Sequence, residues 1–69
     1  MRMNVTLTPT ESATRRTRNR IREHGPAFRA ERSSGDPMLV DGVLGLCWLV
    51  RAEDGWLGWL PREEFTITL

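Results

Sequence analysis

The 69 residues of this chain suffice for one small core and exclude a second domain. With 39% hydrophobic and 28% charged residues it lies outside the disordered class, and its net charge of +1 hides an asymmetry: residues 1–32 hold eight arginines against three glutamates, and residues 33–69 two arginines against six carboxylates. The single cysteine, Cys47, excludes an intramolecular disulfide and, set in an apolar run, reads as a buried thiol in a reducing compartment.

Residues 3–8 alternate Met3, Val5 and Leu7 with Asn4, Thr6 and Thr8, which predicts a strand with one buried face within an edge segment 1–8. Thr8, Pro9 and Glu11 then read as N-cap, first helical residue and capping-box partner, and Gly25-Pro26 as the stop, with the glycine left-handed. The spacing predicts a helix over 9–24 with a narrow inner stripe of Ala13, Thr17 and Ile21. Arg15, Arg18 and Arg22 flank that stripe on one side and Arg16 and Arg20 on the other, so the helix should lie on another element and present a basic outer surface.

Short strands are expected over 27–32 and 38–40, with the loop Ser33-Ser34-Gly35-Asp36-Pro37 between them and a turn at Asp41-Gly42. The run VLGLCWLV over 43–50 is apolar on both faces, as expected of a central strand covered by the sheet interior on one side and by the helix on the other. Glu53-Asp54-Gly55 marks a tight hairpin into a strand over 56–60, Pro61 ends it, and 65–69 alternates again as a last strand.

The stretch Trp48-Leu49-Val50-Arg51, the hairpin at Asp54-Gly55 and Gly58-Trp59-Leu60-Pro61 followed by Phe65 resemble the Src-homology-3 (SH3) family. They correspond to its tryptophan strand, its distal hairpin and its segment of glycine, aromatic, aliphatic residue and proline. The resemblance implies a bent five-stranded antiparallel SH3-like sheet or barrel over 27–69; the N-terminal strand and arginine-rich helix fall outside that family's pattern, and with the helix packed on the sheet the whole chain reads as an α+β fold. It does not carry proline-peptide binding over. The positions that would hold that family's ligand aromatics are Cys47, Glu64, Arg29 and Glu31, and the chain has no tyrosine. The phrase TRNRIREHGPAF also resembles segments of short uncharacterised bacteriophage proteins.

Five arginines between residues 15 and 22 point to a phosphate backbone or an acidic protein surface, with Arg29 extending the patch. Trp48 reads as core. Trp56 and Trp59 fall on opposite strand faces, which leaves one of them as an exposed stacking anchor. His24, the only histidine, suits the negative end of the helix better than a metal, and the neighbours Glu63 and Glu64 should point apart. With one histidine, one buried cysteine, no lysine and no tyrosine, catalysis is not expected, nor is a cofactor or a small-molecule substrate. The expectation is a non-enzymatic binding module that takes nucleic acid non-specifically through the arginine helix. The alternative is a protein-binding adaptor or inhibitor, with homodimerisation open. A cytoplasmic location is expected because no stretch is apolar enough for a signal peptide or a membrane span.

Overall fold

A computed structural model describes residues 5–40 and 42–68. It is an α+β domain in the order β1 (Val5–Pro9), α1 (Arg15–His24), β2 (Phe28–Ser33), β3 (Met38–Val40), β4 (Val43–Gly45), β5 (Cys47–Ala52), β6 (Leu57–Pro61), a short 3-10 turn (Arg62–Glu64) and β7 (Phe65–Thr68). Five strands form one antiparallel sheet in the order β6-β5-β2-β1-β7, while β3 and β4 form a separate hairpin. The sheet stays open, because β6 and β7 are both edges and are not paired with each other. Among the described residues no helix is long and apolar enough to cross a membrane.

Alternation along the strands sends Leu7, Phe28, Ala30, Trp48, Val50, Ala52, Leu60 and Phe65 to one face, where they form the core. Phe28 and Val50 are almost fully enclosed, and burying a side chain of that size stabilises by about 1.5–3 kcal/mol. Helix α1 covers this same face. Thr17 is buried in it, and Ile21 packs on the core together with Val5 and Trp56. The inner stripe expected of the helix is therefore present, with Ala13 buried just before it.

Several expected boundaries are corrected. The first strand is not an edge, since β1 pairs with β2 through Val5–Ala30 and with β7 through Leu7–Ile67; Met3 lies outside the described residues. The helix does not start at Pro9, which ends β1 opposite Phe65. Thr14 is the N-cap and makes no side-chain cap bond; the Glu64 carboxylate instead accepts the Thr14 backbone N–H at 2.6 Å. Gly25 is not left-handed (φ −78°). It is required because its N–H donates to the Ile21 carbonyl and an added Cβ would stand 2.6 Å from that oxygen.

The run 43–50 is two strands, broken at the exposed Leu46. The helix lies over the core face and so does not cover the other face of β5, where Cys47 is buried, Leu49 half-buried and Arg51 exposed. The expected hairpin after β5 is present. Gly55 sits at φ 93° in its turn, a conformation that favours glycine, and Pro61 ends β6 as expected and leads into the 3-10 turn. The final strand runs to Thr68, and Leu69 lies outside the described residues.

Candidate functional site

The helix arginines divide as their spacing requires. Arg15, Arg18 and Arg22 share the flank turned away from the sheet. Arg18 is anchored there: its Nε donates to the Ala13 carbonyl at 3.0 Å and a terminal nitrogen donates to the Glu11 carbonyl at 3.1 Å. Arg15 and Arg22 are exposed, and among the described residues their side chains make no hydrogen bond or ion pair. Arg16 and Arg20 lie on the other flank, beside a hollow of about 110 Å³ bounded also by Val40, Leu60 and Glu63. Arg20 pairs with Glu23 at 3.7 Å and stands 5.5 Å from the centre of the Trp56 ring.

The last turn of α1 is fastened to the β5–β6 hairpin by His24. Its Nδ1–H donates to Asp54 Oδ2 at 2.7 Å, and its ring stacks on Trp56 with centroids 4.8 Å apart and planes 6° apart. Asp54 also accepts the Trp56 backbone N–H at 2.9 Å. The hydrogen bond from His24, followed by the one from Trp56, holds the Asp54 carboxyl below its ordinary range. Sequence reasoning placed His24 at the helix end but had no means of finding its partner 30 residues away.

The two tryptophans do fall on opposite faces. Trp56 is half-buried against the core beside His24 and Arg20 of α1, and its ring lies over Gly58, where an added Cβ would meet it at 2.5 Å. The His24 ring covers one of its faces, and since Trp59 is half-buried as well, neither tryptophan is the exposed anchor that was expected. Trp59 is half-buried on the outer face, with the Arg32 guanidinium 5.9 Å from its centre. Arg29 does not extend the helix patch: between the core residues Phe28 and Ala30 it points to the outer face, opposite α1.

Glu63 and Glu64 do point apart, Glu63 exposed and Glu64 buried. Cys47 is buried, and desolvation pushes its thiol up. Among the described residues no group of three or more His, Cys, Asp or Glu side chains is placed to hold a metal ion.

One feature was not anticipated. Val43, Leu44 and Leu46 face Phe65 and Ile67 across a groove of about 600 Å³ floored by Trp48, and Leu39 stands opposite Leu44 on the β3–β4 hairpin. Leu39 and Leu44 are 69% and 70% exposed, and Val43, Leu46 and Ile67 are also exposed, which gathers much of the exposed large hydrophobic surface of the described residues here. The clue in the sequence was the run VLGL, which was read as a covered strand. Compared with known proteins, the chain matches no family model, no curated protein and no solved structure.

Proposed function

We propose that this chain is a non-enzymatic, SH3-like binding module that holds nucleic acid through helix α1 without strong sequence preference. The observation that carries the reading is the flank of Arg15, Arg18 and Arg22, which has no helix carboxylate on it because Glu23 sits with Arg20 on the other side. Cations grouped in this way release counterions from a phosphate backbone, and the affinity gained is steeply salt-dependent. The SH3-like part of the reading is supported by the hairpin turning at Asp54 and Gly55 and by Pro61 leading through a 3-10 turn into the last strand.

The test is fluorescence anisotropy of a labelled DNA duplex titrated with the protein. Three phosphate contacts predict a loss of about 40-fold in affinity between about 50 and 200 mM salt. Arg15→Gln with Arg22→Gln should reduce the salt slope by about two. Absence of binding at the lower salt overturns the reading.

A second reading, an adaptor or inhibitor that covers another protein, is favoured by the apolar groove between β4 and β7. It predicts one stoichiometric complex that resists salt and is lost in Leu44→Ser and Ile67→Ser. The arginine variants would leave such a complex intact.

A further inference from the structure

Strand β7 ends the sheet beside the apolar groove, and no strand pairs with its outer side among the described residues. Phe65, Thr66 and Ile67 line the groove in succession. Neighbours along a strand point to opposite faces, so the edge of β7, rather than one face of it, borders the groove. The ladder to β1 decides what that edge offers. Thr10 donates its N–H to the Glu64 carbonyl at 2.9 Å, and the register continues through Thr8–Thr66 and Thr6–Thr68. Bonded pairs alternate with unbonded ones in an antiparallel ladder, so Thr66 and Thr68 bond to β1 while Phe65 and Ile67 turn their backbone groups outward. The Phe65 N–H is taken up by the Arg62 carbonyl of the 3-10 turn. The Ile67 N–H and C=O are left at the edge, with no partner among the described residues.

The opposite edge of the sheet is protected: β6 ends in Pro61, and β3 packs beside it. β7 lacks such protection. Its exposed residues Thr66, Ile67 and Thr68 are uncharged, and its pairing with β1 runs without a bulge, whereas charge, proline and bulges are the usual means of refusing an added strand. Across the groove stand Val43, Leu44 and Leu46. Two of the residues around it are charged. Arg62 is committed within the protein, its guanidinium 4.4 Å from the centre of the Trp48 ring and bonded to the Ser33 hydroxyl at 3.3 Å. Glu63 is exposed and makes no ion pair among the described residues, so it complements a basic group on an occupant and repels an acidic one.

We propose that the groove takes an extended, basic-flanked peptide segment of another protein, which adds a strand to β7 through the Ile67 backbone and sets alternate apolar side chains against Leu44 and Leu46. This rests on the second reading, of the groove as a protein-binding surface, and names the kind of partner. Size favours a segment over a second copy of the chain. The groove of about 600 Å³ has the volume of a ligand pocket, and the four residues of β7 span about 13 Å, whereas a stable dimer takes about 800 Å² from each copy. Main-chain bonds then supply affinity with little regard to sequence, and the apolar wall selects the alternate side chains.

The experiment titrates the full chain with a labelled heptapeptide, Lys-Thr-Val-Thr-Val-Thr-Val. Its companions are a copy with glutamate for lysine, two copies N-methylated on the valines or on the threonines, and a proline-rich heptapeptide. Amide exchange at Ile67 is followed by NMR. The parent peptide should bind and slow that exchange, and the glutamate copy should bind more weakly. One methylated copy should lose about tenfold in affinity and the other little, because the bonding groups of a strand alternate between its two edges. Leu44→Ser should cost about tenfold. Ile67→Pro should abolish binding while the chain stays folded in circular dichroism melts, since proline is tolerated at an edge whose N–H faces outward. If Ile67→Pro does not fold, the methylated peptides and the exchange at Ile67 carry the test on the wild-type chain. Equal affinity of both methylated copies, unchanged exchange at Ile67 in the complex, or a preference for the proline-rich peptide overturns strand addition and leaves the adaptor reading standing. Absence of peptide binding at about 1 mM overturns it too. In that case a dimer in sedimentation that Leu44→Ser dissolves makes a second copy the occupant, and a monomer leaves the adaptor reading to its own test by a salt-resistant complex.

Discussion

The two ends of α1 are attached to the sheet in different ways. At the N-terminal end a buried carboxylate, Glu64, accepts the Thr14 backbone N–H, and Arg18 closes over the carbonyls of Glu11 and Ala13. At the C-terminal end the attachment is an exposed carboxylate, Asp54, bonded to His24, with the ring of Trp56 beneath. A charge-assisted bond in a desolvated place contributes far more than the same bond facing water, where solvent competes for both partners and salt screens them. The N-terminal attachment should therefore set much of the stability. The C-terminal one should depend on packing around Trp56 more than on its ion pair.

Glu64→Leu should produce the largest effect, because it leaves the Thr14 N–H without its acceptor at a part-buried site; a loss of about 2–3 kcal/mol is expected in denaturant unfolding. Glu64→Gln keeps an acceptor and should recover part of that loss. Gly58→Ala should follow, at about 2 kcal/mol, since the new methyl group meets the Trp56 ring and must push it off the core and away from His24. Arg18→Ala removes two bonds to loop carbonyls at an exposed position and should cost about 1 kcal/mol, read as a small fall in Tm.

Asp54→Asn should give the smallest change of the four, and it is best seen against pH. The folded Asp54 carboxyl titrates below its ordinary range, so the unfolded chain takes up that proton first. Its contribution is whole above about pH 4 and is lost as the pH falls through the depressed value. Thermal melts across that window should show a shallower acid-side decline in Asp54→Asn and in His24→Gln than in wild type. Equal losses for Glu64→Leu and Asp54→Asn near neutral pH would erase the distinction between the two ends.

Local pattern was sufficient for much of this molecule. Alternation, described from Val5 to Thr8, the turn at Asp54 and Gly55, Pro61 before the final strand, and the inner stripe of Ala13, Thr17 and Ile21 all follow from the chirality and periodicity of the backbone, and they are present. The core placement of Trp48 and Cys47 was legible for the same reason, as were the two flanks of arginine on α1 and the opposite faces of Trp56 and Trp59. What failed were inferences about partners distant in the chain. A capping box at Thr8 and Glu11 is a sound local signal, yet pairing of Pro9 with β7 and the carboxylate of Glu64 moved the helix start to Arg15. Hydrophobicity over 43–50 could not reveal that the helix lies on the core side, which leaves Arg29, Leu49 and Trp59 on the sheet face opposite α1 and Leu44 beside a groove. Periodicity determines which side chains share a face; which face is then covered depends on the order of the strands and the path of the helix, and that is decided only when the whole chain is packed.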